Sequence, residues 1–126
     1  MLGGFKSSNN ATASLNRGLA YYHNHEFDRA IADFTQAIRL NPNLAEAYNN
    51  RGSSYFQNGD FGRAIEDFTQ AIRLNPNNAM AYFNRGVAYS RNGDFARATT
   101  DWQATLRINP NDINAIRNLE FAVRPR

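Results

Sequence analysis

The sequence predicts an all-α protein, in which three helix-turn-helix units stack as a right-handed α-solenoid and a seventh helix follows them. The first observation is a repeat, because the chain matches itself at an offset of 34 residues without insertions. Residues 11–44 and 45–78 agree at 22 of 34 positions, and residues 45–78 and 79–112 agree at 18. The second observation is that apolar residues recur three or four apart within each copy, which is the spacing of one helix face. Repeated helix pairs of this length build a solenoid.

Each copy carries signals for the start and the end of two helices. The turn after the first helix contains Gly59 or Gly93 in copies two and three, and glycine suits the left-handed backbone that closes a helix. His25 occupies this place in copy one and is expected to be strained there. An acidic residue that can cap the second helix comes next, and an Asn-Pro pair ends that helix. Asn43 and Asn77 precede copies two and three, where they are expected to cap the first helix.

The two ends of the chain lie outside the repeats. Residues 1–10 are rich in glycine, serine and asparagine, so we expect a flexible leader before a helix that starts near Ala11. Residues 113–126 are expected to form a capping helix that covers the last repeat with Ile116 and Leu119.

One arginine and one aspartate recur together in every copy, with the arginine in the first helix and the aspartate in the second. A partly buried guanidinium needs an anionic partner. We therefore favour an ion pair that joins the two helices over an anion-binding site. The three pairs are Arg17–Asp33, Arg51–Asp67 and Arg85–Asp101.

Composition argues against an enzyme and against a metal or cofactor site. The chain has no cysteine, which rules out disulfides and zinc-thiolate centres. His23 and His25 are the only histidines, and residues two apart on a helix point in different directions. No Ser/His/Asp arrangement and no phosphate-binding glycine loop occurs.

Charge and hydropathy also restrict the partners. The net charge of +3 comes from arginines that recur at fixed places among acidic residues, and not from a basic run, so nucleic acid is not expected as a partner. No apolar run approaches the ~20 residues that cross a bilayer, so membrane insertion is not expected.

Small and aromatic residues recur at the same places in all copies. Their order resembles the tetratricopeptide repeat, and the resemblance covers residues 11–112. The small residues are expected to let the two helices of a unit pack closely, and the aromatic residues to fill the space between helices. The residues that carry the resemblance are Gly18, Tyr21, Ala30, Phe34 and Pro42 in copy one, Gly52, Tyr55, Ala64, Phe68 and Pro76 in copy two, and Gly86, Tyr89, Ala98, Trp102 and Pro110 in copy three.

The resemblance implies that a partner binds on the concave side of the solenoid, which the first helix of each unit lines. An asparagine recurs in that helix once per copy, as Asn16, Asn50 and Asn84. An amide group donates and accepts hydrogen bonds, so a ladder of amides can bond the main chain of an extended peptide. The alternative is that these amides bond neighbouring helices and stabilise the stack.

Other side chains at groove-facing positions of the family complete the predicted peptide site. The apolar ones are expected to form pockets for side chains of the peptide, and the polar ones to add hydrogen bonds. The apolar residues are Leu15, Leu19, Met80, Phe83 and Val87, and the polar residues are Asn49 and Ser53.

Some members of the family clamp the C-terminal carboxylates of chaperones with lysine, arginine and asparagine. The matching positions here are Leu15, Leu19, Asn50, Met80 and Asn84, of which Asn50 alone fits that pattern. Without the cations, nothing offsets the desolvation of a carboxylate pair. We therefore expect this chain not to bind that type of chaperone tail.

These features predict an adaptor or scaffold module that binds an extended peptide of a partner through the asparagine ladder and the apolar pockets. The alternative is a structural module that self-assembles as a homo-oligomer by end-to-end packing. Ser14 favours that alternative, because a serine leaves the outer face of the first helix lightly covered.

Overall fold

The computed structural model describes the backbone of residues 2–122 and the side chains of residues 10–122. This part of the chain contains seven α-helices and no strand, which confirms the all-α helical-repeat solenoid. Helices pair along the chain, so that α1 and α2, α3 and α4, and α5 and α6 each form one unit, and α7 packs on the last. The helices are α1 (Leu2–His23), α2 (Phe27–Leu40), α3 (Ala45–Gln57), α4 (Phe61–Leu74), α5 (Ala79–Arg91), α6 (Phe95–Ile108) and α7 (Ile113–Ala122).

Each unit is held together where a glycine of its first helix lies against an aromatic ring of its second helix. A Cβ atom at Gly52 would stand 2.8 Å from Cε1 of Phe68, and one at Gly86 would stand 2.5 Å from Nε1 of Trp102. Both distances are shorter than side-chain atoms tolerate in a close-packed interior. The glycine therefore sets how closely the two helices approach.

The turn inside each unit requires a left-handed backbone conformation. Gly59 and Gly93 adopt it with φ values of 79° and 87°. His25 adopts the same conformation in the first unit with φ 61°. The strain expected there is present, because a Cβ atom in this conformation crowds the neighbouring carbonyl oxygen.

The residues that precede α3 and α5 lie one position later than the sequence suggests. Asn78, and not Asn77, caps α5 by accepting a hydrogen bond from the backbone N–H of Ala81 at 3.1 Å. Leu44, and not Asn43, precedes α3 and has no polar side chain to cap it. The expectation for Asn43 and Asn77 is therefore wrong. Both residues still belong to the turn, where their backbone N–H groups donate to the asparagine that precedes the proline.

The predicted ion pair between the two helices forms in every unit. Arg51 also donates to the hydroxyl of Thr35 in the preceding unit at 3.2 Å, so it links two units. The hydrogen bond to Asp67 raises the pKa of Arg51, while burial raises the pKa of the Asp67 carboxyl more than that bond lowers it. The charges of these arginines and aspartates are therefore paired with each other inside the scaffold. The closest nitrogen–oxygen distances are 2.8 Å for Arg17–Asp33, 2.8 Å for Arg51–Asp67 and 2.7 Å for Arg85–Asp101.

The two ends of the chain differ in how they relate to the expected boundaries. Helix α1 begins at Leu2, whereas the sequence places a helix start near Ala11. Residues 2–10 contain no proline, which would interrupt a helix, and their backbone is helical. Flexibility of this segment stays a prediction. Helix α7 buries Ala115 against the last unit, while residues 123–126 of the expected capping helix lie outside the described residues.

Candidate functional site

A cavity of about 380 Å³ opens between the first helices of the three units. We call it the first cavity. Helices α3 and α5 supply most of its lining, because residues one turn apart on a helix project from the same face. Of the predicted site residues, it brings together three from α3 and four from α5. The lining residues are Tyr22, Asn49, Asn50, Ser53, Phe56, Gln57, Phe68, Met80, Phe83, Asn84 and Val87.

Two of the three asparagines of the predicted ladder open onto the first cavity. Asn50 and Asn84 are half-buried, and neither side-chain amide bonds any residue that the structure describes. The alternative, in which these amides are engaged by neighbouring helices, is therefore not what the described residues show. Asn16 is exposed and does not line the cavity. The structure thus brings together two amides rather than three.

Two predicted site residues of the first unit lie elsewhere. Leu15 is only 6% exposed and belongs to the core cluster that contains Phe34 and Ala47. Leu19 packs against the same cluster. Neither lines the first cavity, because both side chains pack into this core cluster instead. The pockets expected from these two leucines are not part of the cavity.

Asn49 is the most buried polar side chain in the lining of the first cavity, at 9% exposure. Its Oδ1 atom is buried and has no hydrogen-bond partner among the described residues. The same position holds Leu15 in α1 and Phe83 in α5, so an apolar residue is tolerated there. An unpaired buried acceptor costs about 1–3 kcal/mol. The scaffold therefore gains nothing evident from an asparagine at this place.

One residue in the lining of the first cavity comes from the second helix of a unit. The sequence did not predict this residue as part of the site. Phe68 belongs to α4, yet its ring reaches the first cavity. It does so past Gly52, where the absence of a side chain leaves room for the ring. The recurrent glycine was thus the signal that could have placed this aromatic residue in the site.

A second cavity of about 450 Å³ lies between α5, α6 and α7. It shares Val87 with the first cavity, so the two are neighbours along α5. Phe95 and Phe121 line it and are 56% and 71% exposed, which is unusual for large apolar side chains. Besides Val87, Phe95 and Phe121, its lining consists of Ser90, Arg91, Ala96, Thr99, Trp102, Asn118 and Ala122.

The two cavities differ in charge. Every residue that lines the first cavity is uncharged, whereas Arg91 lines the second. The guanidinium of Arg91 lies over the ring of Phe56, with 5.5 Å between its central carbon and the ring centroid. It has no carboxylate partner among the described residues, in contrast to Arg85 and its pair with Asp101. Positive charge is therefore placed beside the second cavity, next to Phe56 of the first cavity.

The described residues line the two cavities with amide, hydroxyl, apolar and guanidinium groups. Among the residues that the structure describes, no group of three histidine, aspartate or glutamate side chains is placed to hold a metal ion. The described helices also include none that is long and apolar enough to span a bilayer. What the site offers chemically is a set of amides, hydroxyls and apolar surfaces, which suit reversible binding.

Family models match along most of the chain. A model described as TPR repeat matches residues 52–93, and models described as tetratricopeptide repeat match residues 5–45, 15–67 and 79–112. A search of curated proteins finds no match.

Solved structures with the same fold include several tetratricopeptide domains. The crystal structure of MamA is 30% identical with a TM-score of 0.88, and the alignment covers 90% of this chain and 67% of that chain. The first TPR of Spaghetti (RPAP3), bound to HSP90 peptide SRMEEVD, is 28% identical with a TM-score of 0.89 and 91% of each chain covered. The Arabidopsis OM64 TPR domain is 25% identical with a TM-score of 0.90, covering 92% of this chain and 96% of that one. The chain therefore belongs to the tetratricopeptide repeat family.

Proposed function

We propose that this protein is an interaction module that holds an extended peptide segment of a partner protein in the first cavity. The observation that carries the proposal is the pair Asn50 and Asn84. Both side-chain amides open onto one cavity and have no partner among the described residues. An amide donates through its nitrogen and accepts through its oxygen, so two amides in succession can bond the main chain of an extended peptide.

The rest of the lining supports a peptide with apolar side chains. Phe83 and Val87 are half-buried, and Met80 is 63% exposed, so each presents apolar surface to the cavity. Covering this surface removes it from water, which contributes roughly 25 cal/mol per Å². The structure of the first TPR of Spaghetti with a bound peptide adds support, because that domain has the same fold and 28% identity.

The uncharged lining also favours an internal segment over an acidic tail. The peptide in the Spaghetti structure, SRMEEVD, is acidic near its end. No cation among the described residues lines the first cavity, so the carboxylates of this peptide would lose hydration without a paired charge. We expect SRMEEVD to bind roughly tenfold more weakly than peptides selected for this protein, because its terminal carboxylates would lie in the uncharged first cavity.

The test uses peptides selected from a display library on the unmodified protein. The double variant Asn50→Ala, Asn84→Ala is expected to bind a selected peptide roughly 30-fold more weakly. This corresponds to the loss of one neutral hydrogen bond per amide, at about 1 kcal/mol each. Calorimetry gives the affinity, and circular dichroism checks that the variant stays folded.

The matched control is Asn77→Ala, Asn111→Ala, which removes two exposed asparagines from turns outside both cavities. It is expected to bind like the unmodified protein. If the folded Asn50→Ala, Asn84→Ala variant binds the peptide with unchanged affinity, the proposed role of the amides is refuted.

Self-assembly is the second candidate, and one observation favours it. Arg51 and Arg85 are each covered by the preceding unit and their side chains are 19% and 18% exposed, whereas Arg17 at the first unit is 61% exposed. In the second and third units, the preceding unit covers this surface. The equivalent surface near Arg17 is exposed at the end of the solenoid. Light scattering at several protein concentrations decides between the two, since a strict monomer excludes assembly.

A further inference from the structure

We propose that the second cavity is a further subsite for the same bound peptide. It would accept one large apolar side chain of the peptide. Arg91 would pair with an acidic side chain of the peptide beside that apolar residue. This inference rests on the proposed function, because it assigns the chemistry of one end of the peptide.

The two cavities are positioned to hold one continuous chain. Val87 lines both of them, so a peptide that leaves the first cavity along α5 meets the second one directly. Extended chains advance about 3.3 Å per residue, so a few residues separate side chains in the two cavities.

The second cavity has the apolar surface that a large side chain requires. Phe95 and Phe121 are more than half exposed while they line it, and Trp102 forms part of its wall. Its volume of about 450 Å³ lies within the range of pockets that bind small ligands. Aromatic walls also favour an apolar or aromatic guest through ring contacts.

Charge supplies the second part of the recognition. Six arginines of the described chain form ion pairs with a carboxylate, and Arg91 is not among them. Its contact with Phe56 engages a face of the guanidinium and leaves its N–H groups at the edge available. The described residues that line the two cavities include no acidic side chain that would compete for this cation. A carboxylate of the peptide is the complementary charge.

Among the described residues, Arg91 is the one charged side chain that lines the two cavities, and it lines the second, so the site distinguishes the direction of the peptide. The neutral segment belongs in the first cavity, and the apolar residue with an adjacent aspartate or glutamate belongs in the second. Arg91 is exposed, so water and salt screen the pair and its contribution to affinity is modest.

The test begins with the same display selection on the unmodified protein. We expect selected peptides to be enriched in aspartate or glutamate beside a large apolar residue at one end. Changing that acid to its amide is expected to weaken binding about threefold to fivefold at low salt, and by less at 0.5 M salt.

Two variants isolate the subsite. With Arg91→Gln, the acidic peptide and its amide form are expected to bind equally, as in a double-mutant cycle. With Phe95→Ala, replacement of the large apolar residue of the peptide by alanine is expected to matter less than it does for the unmodified protein. Arg107→Gln is the matched control, because this arginine is exposed and lines neither cavity.

The outcomes separate this inference from the proposed function. If Asn50→Ala, Asn84→Ala weakens binding but Arg91→Gln acts no differently from Arg107→Gln, the subsite is refuted and the proposed function stands. Absence of acidic enrichment among selected peptides likewise overturns the subsite alone. A selection that yields no binding peptide contradicts both.

Discussion

At the scale of single residues, the informative positions are those where one copy of the repeat departs from the others. Asn49 stands where the other copies have Leu15 and Phe83, and its buried oxygen has no partner among the residues that the structure describes. Polar residues that weaken a scaffold in this way are expected at functional sites, since selection for binding can maintain them there. The departure supports a role for Asn49 in the proposed peptide contact.

Replacement of Asn49 by leucine is therefore expected to stabilise the free protein and to weaken peptide binding. Removal of the unpaired oxygen and added apolar burial should raise the free energy of unfolding by about 1 kcal/mol, with room provided by the adjoining cavity. Thermal melting and calorimetry measure the two effects. A leucine variant that is less stable than the unmodified protein would show that the asparagine serves the scaffold.

At the scale of the helix, the glycine–aromatic contact decides how the two helices of a unit meet. The contact recurs in the three units because the glycine and the ring recur in the sequence at a constant spacing. It also links scaffold and site, since the ring of Phe68 passes Gly52 to reach the first cavity. Packing of α3 on α4 thereby sets part of the shape of the site.

The variant Gly52→Ala is expected to destabilise the protein by about 1–3 kcal/mol. The added Cβ would lie 2.8 Å from Phe68 Cε1 and 3.2 Å from the backbone oxygen of Ala64, so both the ring and the helix must move. Gly62→Ala in α4 is the control, because a Cβ there meets nothing within 4 Å. Alanine is the better helix former, so Gly62→Ala should stabilise by up to about 1 kcal/mol in urea unfolding. Equal effects of the two substitutions would contradict the packing role.

At the scale of the whole molecule, each unit contacts mainly its neighbours, so stability is close to a sum of units and the interfaces between them. The last unit depends on α7, which buries Ala115 and packs Leu119 against the cluster of Ala98 and Trp102. This helix also forms one wall of the second cavity through Asn118. Its removal should therefore affect both stability and the proposed subsite.

Deletion of residues 113–126 is expected to lower the free energy of unfolding by about 3 kcal/mol, because the apolar surface of α6 loses its cover. Exposed apolar surface should also cause association that increases with protein concentration. Thermal melting and light scattering measure these effects, and Asn114→Ala, an exposed substitution in the same helix, is the control. A truncated protein that melts like the full chain would show that α7 does not cap the solenoid.

The all-α class, the three units, the ion pairs and the strained turn at His25 could all be predicted from the sequence. These follow from local periodicity, repetition and backbone sterics, which act within one helix or between adjacent ones. Which side chains share a cavity could not be predicted in this way and follows from the packing of the helices. Leu15 and Asn49 occupy the same repeat position, yet one enters the core and the other lines the first cavity. The surroundings of a side chain depend on helices from several units, which the pattern of a single helix does not encode.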